Sequence, residues 1–152
     1  MSAETREALR AAVHRSGRCL DDGRWDDYVG LFAEDGEYRL EAKAPELAAR
    51  MTWMALGRDE LARLLEAAPS HEWQIGERTH LIAVDSIELT GDAATVAATF
   101  CVLRADDLGR LDCYAAGRYD DLWVSRPDGW RLRRRVATLR NRLLSVPSPV
   151  PL

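Results

Sequence analysis

The N-terminal part of the chain repeats apolar residues with a helical period. Residues 4–20 place them three or four positions apart, which predicts an amphipathic helix with Leu9, Ala12, Val13, Ser16 and Leu20 on one face. Gly23 is a natural end for this helix. A second short helix is predicted from the spacing of Trp25, Tyr28, Val29 and Phe32. Residues 57–68 form a third predicted helix, with acidic residues in its first turn.

The pattern changes to strands after about residue 77. Pro127-Asp128-Gly129 separates two long alternating runs and is typical of a hairpin turn. Helices come first and long strands follow, which predicts an α+β fold: about three helices packed on one face of a strongly curved, mainly antiparallel sheet that forms a cone-shaped barrel. The predicted strands are 37–41, 79–89, 93–104, 111–125 and 130–137.

Two segments fit neither period. Residues 44–52 are compatible with a short irregular helix, and Met51–Met54 forms an apolar cluster that either closes over the mouth of the cone or packs on the sheet as a loop. Residues 143–152 contain three prolines, so we expect an extended tail that is disordered or lies along a neighbouring subunit. The whole chain, residues 1–152, is expected to form one domain.

Composition narrows the functional classes. With 47% hydrophobic and 30% charged residues, the chain has the make-up of a soluble globular protein. No apolar run is long enough for a membrane span and the first residues are too polar for a signal peptide, so we expect a cytoplasmic protein without membrane contact. A net charge of −4 argues against nucleic acid as a partner. The three widely spaced cysteines are expected to be reduced and buried.

Three stretches carry a resemblance to a known superfamily. They are LDDGRWDDYVGLFAEDGEY at residues 20–38, AGRYDD at 116–121 and DGWRLRRR at 128–135. In order and spacing they resemble the nuclear transport factor 2-like superfamily of cystatin-like α+β cones. Two branches fit. One is the β subunit of aromatic-ring-hydroxylating (Rieske) dioxygenases, supported also by Trp73 and ERTHLI at 77–82. The other is the SnoaL-like group, which includes proteins similar to scytalone dehydratase.

The first branch implies a structural role. The chain would be a non-catalytic β subunit, a component of an oxidoreductase complex without its own active site, assembled with an iron-sulfur α subunit. It would be a homo-oligomer, with a trimer favoured and a dimer as the alternative. No cofactor or metal site is expected in this chain, because it has no Cys-x-His pair and its histidines, His14, His71 and His80, are far apart.

The second branch implies acid–base catalysis inside the cone. By resemblance to scytalone dehydratase, His80, Asp21 and Tyr38 would be the acid–base residues of a stand-alone dehydratase, isomerase or cyclase for a small hydrophobic substrate. The chain departs from that pattern at Leu20, where a tyrosine is expected, and at residues 101–104, where a second histidine is missing. A third alternative is a binding protein that holds a small hydrophobic ligand without turnover.

Four further residues are predicted at a pocket or interface: Arg134, Trp53, Trp73 and Tyr119. Arg134 shares strand parity with Leu132 and Val136, which places it on the apolar face. A buried arginine needs a partner. An ion pair, a subunit interface and an anion in the pocket all satisfy that need, and the carboxylates available for the ion pair are Asp21, Asp27, Asp35 and Asp121.

Overall fold

A computed structural model of the chain describes residues 2–44, 48–68, 76–148 and 150–152. The predicted α+β fold is confirmed, with three helices and six strands in these ranges. No helix there is both long and apolar enough to cross a bilayer. The elements are α1 (Ala3–Asp21), α2 (Trp25–Gly30), β1 (Phe32–Ala44), β2 (Ala49–Gly57), α3 (Arg58–Ala67), β3 (Glu77–Thr90), β4 (Ala93–Ala105), β5 (Leu111–Arg126) and β6 (Gly129–Leu139).

Local sequence signals set the ends of the helices. The Ser2 side chain caps α1 by accepting a hydrogen bond from the Thr5 N–H. Gly23 follows the end of α1 with a φ of 64°, a backbone conformation that glycine adopts without strain. At the start of α3, the Gly57 N–H donates to the Glu60 carboxylate at 2.9 Å. All three predicted helices are therefore present close to their predicted bounds.

The strands form one mixed sheet in the order β2-β1-β6-β5-β4-β3. β1 and β6 pair in parallel and every other neighbouring pair is antiparallel. The predicted irregular helix at 44–52 is wrong for residues 49–52, which belong to β2, and residues 45–47 lie outside the described ranges. β2 is an edge strand whose side chains are mostly exposed, so its sequence lacks the alternation that marks a half-buried strand.

The helices cover one face of the sheet, which we call the inner face; the opposite face is the outer face. α1 packs on β3 and α3 packs on β1. Large aromatic side chains fill the space between helices and sheet: Tyr28, Phe32, Tyr38, Phe100, Tyr119 and Trp123 are fully or almost fully buried. The rings of Phe100 and Tyr119 stack with centroids 4.3 Å apart. This interior is therefore a packed aromatic core.

A β-bulge in β6 reverses the predicted facing of its arginines. Leu122 pairs with Arg134, but Trp123 pairs with Leu132, so Arg133 is an extra residue in the ladder. Beyond the bulge the parity shifts by one position. The prediction that Arg134 lies on the apolar face is wrong: Arg134 is exposed, and Arg135 is the fully buried arginine.

The C-terminal segment packs into its own chain. The predicted disorder is contradicted for Val150 and Leu152, which are completely buried in the core. Contact of the tail with a neighbouring subunit stays a prediction. Asn141 starts this path: its side chain accepts from the Ala116 N–H and donates to the Tyr114 carbonyl. The Tyr114 hydroxyl then donates to the Val146 carbonyl at 2.6 Å. These bonds guide the segment along β5 and into the interior.

Candidate functional site

Asp21 and His80 form a partly buried pair where α1 packs on β3. The Asp21 carboxylate binds His80 twice: Oδ1 lies 2.5 Å from the ring Nδ1, and Oδ2 accepts from the backbone N–H at 2.8 Å. Gly17 lets the helix come this close, because a Cβ at that position would lie 2.8 Å from the Ile82 side chain and 3.0 Å from the His80 Cβ. Asp21 at the end of α1 and His80 near the start of β3 are thus brought together as the sequence predicts.

The double contact with Asp21 fixes the imidazole. With Nδ1 donating to a carboxylate, the neutral ring carries its lone pair on Nε2. That Nε2 is buried and has no hydrogen-bond partner among the described residues. Burial lowers the pKa of His80 below its ordinary value, although the hydrogen bond to Asp21 opposes this shift. The pair is therefore a neutral imidazole with an oriented, free lone pair, as a general base requires.

The low pKa of His80 predicts a specific pH dependence of stability. The unfolded chain takes up a proton on this histidine near the usual pKa of about 6.5, whereas the folded chain resists protonation. The neutral His80 ring contributes fully to the free energy of unfolding above about pH 6.5. This contribution is lost as the pH falls toward the lower pKa of the folded state. We expect urea unfolding at several pH values to show a steeper loss between about pH 7 and 5 for the wild type than for His80→Asn. Equal slopes would contradict this assignment.

Tyr38 lies in the interior but does not join the Asp21–His80 pair. Its hydroxyl accepts from the Leu152 N–H at 3.0 Å and lies 3.3 Å from the Leu152 carbonyl, to which it donates. Burial raises the pKa of Tyr38 well above its ordinary value, so the hydroxyl keeps its proton. Both hydrogen bonds of the Tyr38 hydroxyl are therefore made to the backbone of residue 152. The predicted role of Tyr38 in polarising a substrate carbonyl stays a prediction.

A second polar group lies in the core around Arg135. Its guanidinium donates to both Asp121 oxygens, at 2.9 and 2.7 Å, and to the Ser16 hydroxyl at 2.8 Å. Although burial disfavours the charged form, the Asp121 carboxylate raises the pKa of Arg135 above its usual range. The guanidinium also lies over the Tyr119 ring, 4.0 Å from its centroid. This cluster joins α1, β5 and β6.

Two tyrosine hydroxyls beside this cluster have no hydrogen-bond partner in the described residues. They belong to Tyr28 and Tyr119, and both are fully buried. Burial raises the pKa of Tyr28 to about 12, against the opposing charge of Arg135. Burial likewise raises the pKa of Tyr119. The interior thus holds unsatisfied polar atoms, but Tyr119 lies inside the core and not on a surface open to another subunit.

The remaining predicted site residues are scattered. Trp53, on β2, is partly exposed and lines a surface pocket of about 390 Å³. The other lining residues include Leu40, Met54, Leu143, Leu144 and Pro147. Trp73 lies outside the described residues. Among the described residues of the predicted set, Asp21 and His80 are joined by a direct hydrogen bond, and Tyr38 and Tyr119 lie in the same core.

Access to the Asp21–His80 pair is restricted. A surface pocket of about 310 Å³ is lined by Asp21 together with Leu20, Trp25, Gly76 and Arg78, among others. The carboxylate is therefore partly reachable from outside, whereas the His80 side chain is fully buried. The described residues contain no group of three or more His, Cys, Asp and Glu side chains placed to hold a metal ion.

Sequence reasoning missed Arg135 and its partner Ser16. Asp121 was among the candidate partners, but for the wrong arginine. Ser16, a polar residue on the otherwise apolar face of α1, gave only a weak signal, because its hydroxyl also donates to the Val13 carbonyl of the same helix at 2.6 Å. The Arg135–Asp121 ion pair and its hydrogen bond to Ser16 tie α1 to β5 and β6 across the core.

Comparisons with known proteins agree with this fold. The sequence model described as "SnoaL-like domain" matches residues 1–136. The chain is 28% identical over 141 residues to the 2-aminobenzenesulfonate 2,3-dioxygenase subunit beta of Alcaligenes sp., covering 92% of this chain and 94% of that protein. It is 24% identical over 156 residues to the methanesulfonate monooxygenase hydroxylase subunit beta of Methylosulfonomonas methylovora, covering 96% and 86%.

Solved structures also match over most of the chain. A protein from Novosphingobium aromaticivorans described as the β subunit of an aromatic-ring-hydroxylating dioxygenase has a TM-score of 0.80 and 23% identity, with 91% of each chain covered. A protein described as a scytalone dehydratase from the same organism has a TM-score of 0.68 and 19% identity, covering 99% and 97%. The superfamily predicted from the sequence is confirmed, and proteins from both of its competing branches are among the matches.

Proposed function

Because the chain belongs to the SnoaL-like domain family, we propose that it is the non-catalytic β subunit of a ring-hydroxylating or related oxygenase and assembles with an iron-containing α subunit. Two relatives that match over more than nine-tenths of this chain are named as β subunits of oxygenases, which supports the proposal. In this role the chain supplies a rigid body for the complex, and the oxidation takes place in the partner.

The observation that carries this proposal is the closed interior. Val150 and Leu152 are fully buried, and Tyr38 binds the backbone of residue 152 through both its donor and its acceptor. Aromatic rings belong to the same core, and among the described residues the buried His80 Nε2 has no hydrogen-bond partner. An enzyme of this fold needs an open pocket for its substrate. A scaffolding subunit instead needs a filled core.

The proposed subunit acts in the cytoplasm as a homotrimer that binds α subunits. Several exposed apolar side chains are available for such contacts: Met51, Trp53, Leu81, Leu89, Leu108, Leu111 and Leu143. Leu81 and Leu89 lie on β3, an edge strand of 14 residues. A long edge strand that carries apolar side chains favours association with another chain.

Co-expression with an oxygenase α subunit tests the proposal. We expect a stable complex that turns over a substrate, and the sulfonates named for the two relatives define the first substrates to screen. His80→Ala should change the turnover of the assembled complex by less than about twofold, because a residue outside the chemistry does not contribute to the barrier. A chain that remains alone and iron-free beside every α subunit tried would count against the proposal.

The Asp21–His80 pair supports a second candidate, an acid–base enzyme. A carboxylate orients the imidazole and leaves Nε2 free, which is the arrangement of a general base. In this function residues 150–152 leave the interior and a small hydrophobic substrate takes their place. His80→Ala would then lower the rate of the isolated chain by about 100-fold or more. Activity of the isolated chain with that loss would favour this function over the β-subunit role.

A further inference from the structure

Two thiols meet on the outer face of the sheet. Cys101 on β4 and Cys113 on β5 have their sulfur atoms 3.4 Å apart. Cys101 is partly exposed and Cys113 is exposed, whereas Cys19 is buried. The prediction that all three cysteines are buried is therefore correct only for Cys19.

A second β-bulge brings the two cysteines into contact. Val102 pairs with Ala115 and Leu103 pairs with Cys113, so Tyr114 is an extra residue in β5. Cys101 and Cys113 are thus diagonal neighbours on one face. A disulfide bond is about 2.05 Å long, so closing it shortens the sulfur separation by roughly 1.4 Å. A bulge interrupts the ladder locally and is the part of a strand pair best able to absorb such a shift.

We propose that Cys101 and Cys113 form a redox-responsive pair that closes to a disulfide on exposure to hydrogen peroxide. The Cys113 thiolate attacks one peroxide oxygen, the O–O bond breaks, and a sulfenic acid and a first water are formed. The Cys101 sulfur then attacks the Cys113 sulfur, the S–S bond forms, and the S–O bond breaks to release a second water. Two thiols lose two electrons and one peroxide is reduced to two waters.

The surroundings assign the order of the two steps. Cys113 is the more exposed thiol and meets the oxidant first. Burial and the contact with Cys113 raise the pKa of Cys101, which therefore keeps its proton until the second step. The turn between the strands is already ordered, because the Asp106 carboxylate accepts from the backbone N–H groups of Leu108 and Arg110. A disulfide between Cys101 and Cys113 therefore encloses a segment whose turn is already ordered, and its formation orders few additional residues.

Peroxide treatment of the purified full chain tests the pair. We expect the intact mass to fall by about 2 Da, with two of the three thiols lost and both recovered after dithiothreitol. Arg104 and Arg110 lie between the two cysteines in the sequence, so trypsin separates them and a disulfide-linked peptide pair identifies the bond. Cys19→Ser is the matched control and should behave as the wild type. Cys101→Ser should instead stop at a Cys113 sulfenic acid that dimedone captures.

Several results would overturn the proposal. One is a mass gain of about 32 Da per cysteine without a linked peptide pair, which indicates independent oxidation to sulfinic acids. Others are a bond between either cysteine and Cys19, or disulfide formation only between two chains. Serine is no larger than cysteine, so near-ultraviolet and far-ultraviolet circular dichroism of the Cys101 and Cys113 variants should match that of the wild type before treatment.

Discussion

Asp121→Ala lowers the free energy of unfolding by about 3–5 kcal/mol, because it leaves the Arg135 guanidinium charged and buried without its carboxylate. The Ser16 hydroxyl remains as a neutral acceptor and does not replace a charge. The Trp123 indole N–H, which donates to Asp121 at 3.3 Å, also loses its partner. Urea unfolding measures the effect. For a domain whose total stability is about 5–15 kcal/mol, such a loss removes a large share.

Neighbouring residues provide matched controls. Asp120 lies next to Asp121 on β5 but is exposed, so Asp120→Ala should change stability by less than about 0.5 kcal/mol. In the same way Arg135→Ala should be strongly destabilising and Arg134→Ala nearly neutral, which tests the bulge directly. The double change Asp121→Leu with Arg135→Met removes both charges and should cost less than Asp121→Ala alone. Equal effects at positions 134 and 135 would contradict the strand facing described above.

Removal of residues 147–152 has the second large expected effect. The truncation exposes the cavity left by Val150 and Leu152, and burial of each of these side chains is worth about 1.5–3 kcal/mol. It also leaves the Tyr38 hydroxyl without the backbone of residue 152. We therefore expect a loss of about 3–6 kcal/mol in unfolding free energy, measured by urea or thermal unfolding.

A point variant separates this effect from a general effect of the tail. Leu143 is 89% exposed, so Leu143→Ala should stay within about 0.5 kcal/mol of the wild type. Leu152→Ala keeps the chain length and should cost about 2–5 kcal/mol, because it leaves a cavity in the core. If the truncated chain retains wild-type stability, the tail does not occupy the interior in solution, and the acid–base alternative gains support.

Periodicity predicted the helices and the long strands because their burial is regular. α1 buries Leu9, Val13 and Leu20 on the face that the spacing indicates. β2 was not predicted, since an edge strand with exposed side chains has no apolar alternation to detect. The parallel pairing of β1 with β6 depends on contacts between residues about a hundred positions apart, which local patterns do not encode.

The candidate site could be predicted only in part. Asp21 and His80 were found by resemblance, and the structure places them in contact. The buried arginine was misplaced by one residue, because the bulge at Arg133 has no glycine or other local mark in the sequence. The contact between Tyr38 and Leu152 was also missed. This contact depends on the three-dimensional path of the tail. The prolines in the tail exclude regular secondary structure, but they do not indicate which part of the protein the tail packs against.

The Tyr38–Leu152 contact joins residues 114 positions apart, and this has a consequence for how the chain folds during synthesis. A ribosome makes Tyr38 early and Leu152 after all six strands, at about 5–20 residues per second. Until then the aromatic interior lacks the segment that fills it. The nascent chain therefore carries an incomplete core for several seconds, and the core closes only once residue 152 has been synthesised.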